Sequence, residues 1–422
     1  MTLLQRIAPS DALRRSHTLI DPQTLDGAAE IVDDVRRGGE AALRRVSERL
    51  GDLRTDDAGS ALVLDPAAMR RLAASVASDD RALLERTAER IRAFAQRQRE
   101  ALTSIETTVP GGRAGHLIAP MEAAGCYAPG GRYPLPSSVL MTAVTARVAG
   151  VRTVVVASPR PAPITAAAAM VAGADLMLTI GGAQAVAAMA YGVSVPRCDI
   201  IVGPGNRWVT AAKKIVQGDA AIDMLAGPSE LLVLADDTAE ASWIAADLLA
   251  QAEHDTDAVP TLVTTSARLA DDVESELERQ LASLPTGATA RAALANGCCV
   301  VCESLEQAIG VSDRIAPEHL QIMTRDARGV LARLRHFGAA FVGSRSAEIF
   351  GDYGVGPNHV LPTSGTSRFS AGLSVLHFLR VRTWLEMDEG PSLDGVVRDA
   401  ARLARLEGLE AHARSAEKRL AP

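Results

Sequence analysis

The 422-residue sequence predicts an α/β protein built on two parallel sheets. Short, continuously apolar stretches alternate with helical segments in two successive runs, and two of those stretches end in Gly-rich turns. Continuously apolar strands between helices are typical of a parallel sheet that is covered on both faces. The length exceeds what one compact core accommodates and suits two or more domains.

The first run of alternating elements lies between residues 151 and 234. Strands are predicted at 151–157, 174–180, 199–202 and 230–234, with helices at 163–172, 182–191 and 206–217. Two turns follow strands of this run, Gly181-Gly-Ala-Gln184 and Gly203-Pro-Gly-Asn206. Ligands of such sheets bind outside the carboxyl ends of the strands. We therefore expect both turns to present backbone N–H groups and side-chain amides at one edge.

The second run extends to residue 342. Helices are predicted at 238–253, 267–283, 304–312 and 325–336, and strands at 260–265, 298–302, just after His319, and at 339–342. The remaining segments are helices at 20–50 and 66–104, a loop-rich stretch at 119–137, a mostly irregular stretch at 344–373 and a polar helical tail at 392–419.

Composition and charge exclude several classes of protein. Apolar residues make up 47% and charged residues 23%, as in soluble globular proteins. A net charge of -7 argues against nucleic-acid and anionic-membrane binders. Arg6 interrupts the N-terminus too early for a signal peptide, and no stretch approaches the roughly 20 apolar residues of a membrane helix. We expect a cytoplasmic protein, with its five cysteines in the core rather than in disulfides.

Five side chains are candidate metal ligands. Gln251 and His254 are three residues apart on a predicted helix and therefore point to the same side. Asp352 and His359 bracket a loop rich in Gly and Pro, and His412 lies near the C-terminus. Imidazole nitrogen combined with carboxylate or amide oxygen suits zinc.

Glu318 and His319, which follow Pro317, add a carboxylate beside an imidazole. Proton transfer near a metal requires this pair of groups. Each feature alone also has an ordinary structural explanation, such as a polar helix end or a solvated histidine. Motifs for a dinucleotide fingerprint, a P-loop and a nucleophile elbow are absent from the sequence. A metallohydrolase, a metal-assisted dehydrogenase and a non-catalytic zinc protein therefore all fit these residues.

Several sequence blocks resemble the histidinol dehydrogenase family, from about residue 25 to the end. The blocks are Tyr127-Ala-Pro-Gly-Gly, Gly181-Gly-Ala-Gln-Ala, Val202-Gly-Pro-Gly-Asn-Arg-Trp-Val-Thr, Ala226-Gly-Pro-Ser-Glu, Gln251-Ala-Glu-His, Ala316-Pro-Glu-His-Leu, Gly356-Pro-Asn-His-Val-Leu-Pro-Thr and Glu407-Gly-Leu-x-x-His412. Each is weak singly, but their order and distances together are specific.

The resemblance implies site residues position by position. Zinc would be held by Gln251, His254, Asp352 and His412. NAD would contact Tyr127, Gln184 and Asn206. The substrate would contact Ser229, Gln251, His254, His319, Asp352, Glu407 and His412. His319 would be the general base that removes the alcohol proton, and Glu318 would activate water for attack on an aldehyde.

The resemblance also implies an assembly and a reaction. An intertwined homodimer is expected, with an N-terminal segment 1–22, a zinc and catalytic α/β domain formed by 23–124 plus 229–373, a Rossmann-like NAD domain 125–228, and a helical tail 374–422 that reaches the partner subunit. The expected reaction oxidises L-histidinol to L-histidine through L-histidinal, reducing two NAD, with one zinc per subunit orienting the substrate. The alternative is a related zinc- and NAD-dependent dehydrogenase of another small alcohol.

Overall fold

The computed structural model describes residues 2–12, 19–53, 61–130 and 133–420. Residues 13–18 of the predicted N-terminal segment, Gly131 and Arg132 of the predicted loop, and residues 421–422 of the predicted tail lie outside the described residues. The strands are β1 Gln5–Ile7, β2 Val63–Leu64, β3 Ile105–Val109, β4 Gly112–Pro120, β5 Ala123–Tyr127, β6 Thr153–Ala157, β7 Leu176–Leu178, β8 Ile200–Val202, β9 Ala221–Ile222, β10 Glu230–Ala235, β11 Val259–Thr264, β12 Cys298–Val301, β13 His319–Met323, β14 Ala339–Val342 and β15 Leu379–Met387.

The helices flank these strands along the whole chain. They are α1 Pro9–Ala12, α2 Pro22–Arg49, α3 Pro66–Leu72, α4 Ser78–Glu100, α5 Pro136–Ala149, α6 Pro163–Ala172, α7 Gly182–Tyr191, α8 Arg207–Val216, α9 Ala241–Ala252, α10 Ala267–Leu281, α11 Gly287–Leu294, α12 Leu305–Ile315, α13 Ala327–Leu331, α14 Glu348–Asp352, α15 Pro391–Leu406 and α16 Glu410–Glu417. In the described part of the chain, no helix combines the length and apolar character needed to span a membrane.

Two six-stranded sheets confirm the predicted α/β class. Sheet I has the strand order β1-β12-β11-β10-β13-β14, and every neighbouring pair is parallel. Sheet II has the order β2-β7-β6-β5-β8-β9 and is parallel except for β2, which is antiparallel to β7. Both sheets are covered by helices on both faces, as their continuously apolar strands predict.

Sheet I shows how the apolar runs form two cores. All six residues of β10 are buried. Leu231 and Val233 join the cluster formed with α9, α10 and α11, whereas Leu232 and Leu234 join the cluster on the opposite face with α12. Successive strand residues point to opposite faces, so an uninterrupted apolar run serves both cores.

Sheet II is packed with unusually small side chains. The helices α6 and α7 are largely alanine, and their alanines are buried. The central strand β5 contains Gly125, where an added Cβ would lie 2.6 Å from the sulfur of Met189 on α7. Small residues on both partners therefore let helix and sheet approach closely. The same small residues explain why β5 falls within the stretch predicted as loop-rich.

A small antiparallel sheet was not predicted. This sheet III has the order β15-β4-β3, and β15 pairs with β4 along its whole length. Most residues of β3 and β15 are exposed and several are charged. Neither strand therefore carries the alternating or continuous apolar pattern on which a sequence-based prediction depends.

The segment 23–124 packs differently from the predicted domain division. Helix α2 packs on α7 and α8, α4 packs on α5, and β2 pairs with β7, so this segment covers sheet II rather than sheet I. The predicted boundary at residue 124 also falls inside β5, the strand between β6 and β8. At the other end, β1 of the predicted N-terminal segment joins sheet I by pairing with β12. An amphipathic pattern shows that a helix packs on a core, but it does not show which core.

Gly203 provides a test of the packing at the centre of sheet II. Its φ is +114°, and an added Cβ would lie 2.0 Å from the carbonyl oxygen of Tyr127. Gly218 has nearly the same φ, +113°, with open space around it. Gly218→Ala should therefore lower the free energy of unfolding only by the cost of placing alanine at a positive φ, about 1–3 kcal/mol. Gly203→Ala should lower it by at least about 2 kcal/mol more, because the backbone of β5 must move to make room for the methyl group.

Urea denaturation of the two variants, followed by circular dichroism, measures this difference. Equal losses in the free energy of unfolding would show that β5 yields easily and that the close approach of Gly203 to Tyr127 is not a constraint.

Candidate functional site

The amino-terminal edge of sheet I collects the predicted catalytic and metal-binding side chains. His319 is the first residue of β13, and Asp352 is the last residue of α14. Gln251 lies in the last turn of α9, while His254 lies in the turn just after that helix rather than within it. The site of sheet I thus lies at the edge opposite to the one where parallel sheets usually bind ligands.

Asp352 lies at the centre of this cluster. Its carboxylate is 3.6 Å from Nε2 of His254 and 3.7 Å from Nε2 of His319. Glu348 lies one helical turn earlier on α14, and its Oε1 is 3.7 Å from Nδ1 of His319. His254, Glu348 and Asp352 each offer a ligand atom within 4.8 Å of the others, a spacing that could hold a metal ion.

His319 is fixed in one tautomer by the strand beside it. Its Nδ1 lies 2.9 Å from the backbone carbonyl oxygen of Glu230. A carbonyl oxygen only accepts, so Nδ1 carries the proton and Nε2 keeps its lone pair. Nε2 is buried and has no hydrogen-bond partner among the described residues. Burial lowers the pKa of His319, which keeps the ring neutral and Nε2 available as a base.

Glu318 is held by the same residue of the neighbouring strand. Its Oε2 accepts a hydrogen bond of 2.8 Å from the backbone N–H of Glu230. The side chain is buried, and burial raises the pKa of Glu318 well above its usual range, with further contributions from the charges of Glu230, Asp352 and Glu348. A carboxylate with a raised pKa is a stronger base than a solvated one.

Two further buried polar groups near these residues lack partners in the described structure. Both amide atoms of Gln251 are buried without a hydrogen bond, and so is Oε1 of Glu348. Such atoms cost about 1–3 kcal/mol each when they are left unpaired. The amide oxygen of Gln251, the carboxylate of Glu348 and the imidazole of His254 together form a donor set that fits a divalent cation such as zinc.

Acidic side chains accumulate at this edge. In the part of the chain that the structure describes, the ion pairs of Glu318, Glu348 and Asp352 are formed with histidines alone. Burial raises the pKa of Glu348 well above its usual range, and the nearby charges of Asp352 and Asp247 raise it further. Asp247 accepts a hydrogen bond from Gln321, and burial raises its own pKa to about 6. A bound cation would relieve this repulsion.

A cavity of about 280 Å³ opens beside the cluster and contacts His319, Asp352 and His359. Nδ1 of His359 donates a hydrogen bond of 2.8 Å to the backbone carbonyl of Asp352. The loop between α14 and His359 is anchored on sheet II, because Asn358 donates to the carbonyl of Met141 on α5. The cavity is of a size that suits a small molecule.

The second group of predicted residues lies at the carboxyl edge of sheet II, as the turns predicted. Tyr127 ends β5, and its hydroxyl oxygen accepts a hydrogen bond of 3.1 Å from the N–H of Gly182 at the start of α7. The side-chain amide of Gln184 donates to Asp52. Asn206 is exposed and caps α8 by accepting from the N–H groups of Trp208 and Val209. Two helix N-termini thus face this edge, an arrangement that favours phosphate groups.

The remaining predicted residues are divided between the site and an exposed surface of the C-terminal helices. Ser229 precedes β10 and is adjacent to Glu230, whose main chain holds both Glu318 and His319. Glu407 and His412 are exposed on the helical pair α15 and α16. A turn separates them, with Gly408 at a φ of +78°. Within one chain, no hydrogen bond or ion pair between described residues connects them to the cluster around Asp352.

Sequence reasoning missed Glu348, Asp247 and Gln321. Glu348 and Asp352 are four residues apart and share a face of α14, but a helix of five residues is too short to produce a periodic signal. Asp247 is likewise one turn before Gln251 on α9. For Glu348 and Asp247, the available signal was a spacing of four residues from a side chain already predicted to bind the metal, Asp352 or Gln251.

Comparisons with known proteins place these residues in a family. The model of the histidinol dehydrogenase family matches residues 14–420. Histidinol dehydrogenase from Geobacillus kaustophilus is 44% identical and covers 99% of both chains, and the one from Aromatoleum aromaticum is 43% identical over 98% of this chain and 95% of the relative. The crystal structure of histidinol dehydrogenase from Elizabethkingia anophelis superposes with a TM-score of 0.91 at 29% identity, covering 99% of this chain and 98% of that one.

The match extends over the whole fold, including both sheets and the C-terminal helices. The chain therefore belongs to the histidinol dehydrogenase family.

Proposed function

We propose that the protein oxidises L-histidinol to L-histidine in two successive NAD-dependent steps. The observation that carries this proposal is His319, whose Nδ1 is committed to the carbonyl of Glu230 while its buried Nε2 faces Asp352 and the cavity. An oriented neutral imidazole beside a cation site suits proton removal from an alcohol. The curated relatives, which carry the name of this activity, supply the identity of the alcohol.

Zinc would be held by Gln251, His254 and Asp352, with His412 supplied by a partner subunit. Bound there, zinc would hold and orient the substrate through the imidazole and the amino group of the substrate. The buried amide of Gln251, which has no hydrogen-bond partner among the described residues, supports this assignment, because a metal ligand role accounts for a buried polar group of this kind. Glu348 is close enough to join or support the same set.

The proton transfers would be divided between Glu318 and His319. His319 would take the hydroxyl proton in each oxidation through Nε2, the nitrogen left free by the carbonyl of Glu230. Glu318 would take a proton from the water that attacks the aldehyde, giving a hydrate for the second oxidation. Its burial supports this role, because a buried carboxylate binds a proton more tightly than a solvated one. NAD, which accepts the hydride in each step, would lie against Tyr127, Gln184 and Asn206 at the edge of sheet II.

The proposal includes a homodimer in which each tail completes the partner's site. Glu407 and His412 support it because both are exposed on their own chain, on a helical pair with exposed Leu403 and Leu406. Apolar side chains exposed together favour a protein partner. Together with Ser229, Gln251, His254, His319 and Asp352, the partner residues would surround the substrate.

Turnover measures the proposal directly. The zinc-loaded protein supplied with L-histidinol should produce two NADH per histidinol consumed, with L-histidine as product. Glu318→Gln should slow the oxidation of supplied L-histidinal by about 100-fold or more, and that of histidinol to histidinal less, because water activation belongs to the aldehyde step. The control is Glu303→Gln, at an exposed glutamate in the same half of the chain.

The absence of NADH formation would refute the proposed function. Much faster turnover of another small alcohol would move the activity to the alternative within the family. Equal losses in both oxidations for Glu318→Gln would contradict the division of roles.

Zinc binding can be tested without activity. Gln251→Leu removes a buried amide that has no hydrogen-bond partner in the part of the chain that the structure describes. Without metal, the free energy of unfolding of this variant should therefore equal that of wild type or exceed it by up to about 1 kcal/mol. Zinc should raise the thermal unfolding temperature of wild type. It should raise that of the variant much less, because the stabilisation that a ligand provides depends on its affinity for the folded protein, and the variant lacks one of the proposed zinc ligands. Differential scanning fluorimetry with and without zinc measures both effects.

Gln280→Leu is the matched control. The amide of Gln280 is hydrogen-bonded to Ser242 and Glu276, so this variant should lose stability and keep its response to zinc. An unchanged zinc response in Gln251→Leu would remove Gln251 from the metal site.

The shared site predicts complementation between two inactive variants. His412→Ala and His319→Gln should each be inactive alone. After the two proteins are unfolded, mixed and refolded, a mixed dimer carries both defects in one site and none in the other. A random mixture should then regain roughly a quarter of the wild-type activity. Residual activity no higher than that of the separate variants would place His412 in the site of its own chain.

A further inference from the structure

We propose that Asp52 is a positioning residue of the dinucleotide site, which fixes the side-chain amide of Gln184 and the turn at the start of α7. This inference rests on the proposed function, because it takes Gln184 as a residue that contacts NAD. Asp52 lies in none of the sequence blocks that identify the family, and it comes more than a hundred residues before the turn it contacts.

One carboxylate oxygen makes both contacts. Oδ2 of Asp52 accepts a hydrogen bond of 2.9 Å from the N–H of Gly181 and one of 3.0 Å from Nε2 of Gln184. Asp52 is itself held at the end of α2, because its backbone N–H donates to the carbonyl of Ser47 and the next residue, Leu53, is buried in the core of sheet II. The carboxylate is therefore a fixed point to which the turn and the amide are attached.

The contact decides which way the amide of Gln184 points. A carboxylate only accepts hydrogen bonds, so the NH₂ group must face Asp52 and the amide oxygen must face away. That oxygen, Oε1, is buried and has no hydrogen-bond partner in the described part of the chain. It lies against Gly182, where an added Cβ would come within 2.7 Å of it, and the N–H of Gly182 donates to the hydroxyl of Tyr127.

An oriented, buried and unpaired acceptor fits a ligand that brings a hydrogen-bond donor. NAD carries such donors in its ribose hydroxyls and its amide and amino groups. Without Asp52, the amide of Gln184 could rotate by half a turn and present NH₂ where an acceptor is needed. Asp52 would thus act on the cofactor through Gln184.

A purely structural role is the competing explanation. A carboxylate at the N-terminus of α7 stabilises that helix by itself. Such a role would change stability and leave the affinity for NAD unaffected, so the two explanations differ in a measurable quantity.

The experiment measures the dissociation constant for NAD by isothermal titration calorimetry on the full-length zinc-loaded protein. Asp52→Ala should raise it about tenfold, the equivalent of about 1.4 kcal/mol. Asp52→Asn should stay within about threefold of wild type, since one amide oxygen can accept the same two hydrogen bonds. In a Gln184→Ala background, Asp52→Ala should add little further loss, because the residue through which it acts is gone.

Asp65→Ala serves as a control for stability. Asp65 caps α3, which also packs in the sheet II unit, by accepting from the N–H of Ala68. This variant should lower the unfolding temperature and leave the affinity for NAD unchanged.

Three outcomes would overturn the inference. These are an unchanged affinity in Asp52→Ala, the same fold-loss in the presence and absence of Gln184, or a Gln184→Ala variant that binds NAD as tightly as wild type. Failure of the proposed function is recognised separately, as a wild-type protein that binds no NAD and forms no NADH from histidinol.

Discussion

The main chain of Glu230 is the point on which the arrangement of the site depends. Its N–H holds the carboxylate of Glu318, and its carbonyl holds Nδ1 of His319. Both contacts are possible because β10 and β13 are parallel neighbours in register, with Leu231 paired to His319. The pairing of two strands, which also builds the core, thereby sets the orientation of both candidate acid–base groups. A backbone group keeps this function whatever side chain position 230 carries.

The two groups of candidate site residues lie at opposite kinds of edge in the two sheets. The candidate catalytic cluster is at the amino edge of sheet I, whereas Tyr127 and Gln184 are at the carboxyl edge of sheet II. The connection between them is direct, since Asn358, next to His359 of the cluster, is hydrogen-bonded to α5 of sheet II, and Arg90 on α4 donates to the carbonyl of Gly354. Helices that cover sheet II thus fix the loop that completes the site of sheet I.

The sequence predicted those parts of the molecule whose local pattern has a single interpretation. The helices 163–172 and 182–191 and the strand 339–342 have the predicted bounds, because alanine-rich and apolar runs end there at glycine residues or turns. Strand β5 and sheet III were missed, since a strand of small residues and exposed strands carry no distinctive pattern. The structure does not support the assignment of 23–124 to sheet I. Which of two apolar cores a helix packs on depends on how their side chains fit together, and a single sequence does not show this.

The site divides in the same way. His254, His319 and Asp352 come together as expected from residue type and from resemblance. Glu348 and Asp247 were not predicted, although they contribute to the electrostatics of the site. Burial raises the pKa values of both carboxyl groups and lowers the pKa of His319. Such an arrangement opposes folding, because each buried charge without a partner costs free energy. The closely packed alanine- and valine-rich cores on both faces of the two sheets must offset that cost, and a bound cation would reduce it. Protonation of the carboxyl groups, which their raised pKa values favour, relieves part of this repulsion, and a bound cation would relieve it with the carboxylates ionised. The acidic side chains gathered at this edge therefore favour the binding of a cation.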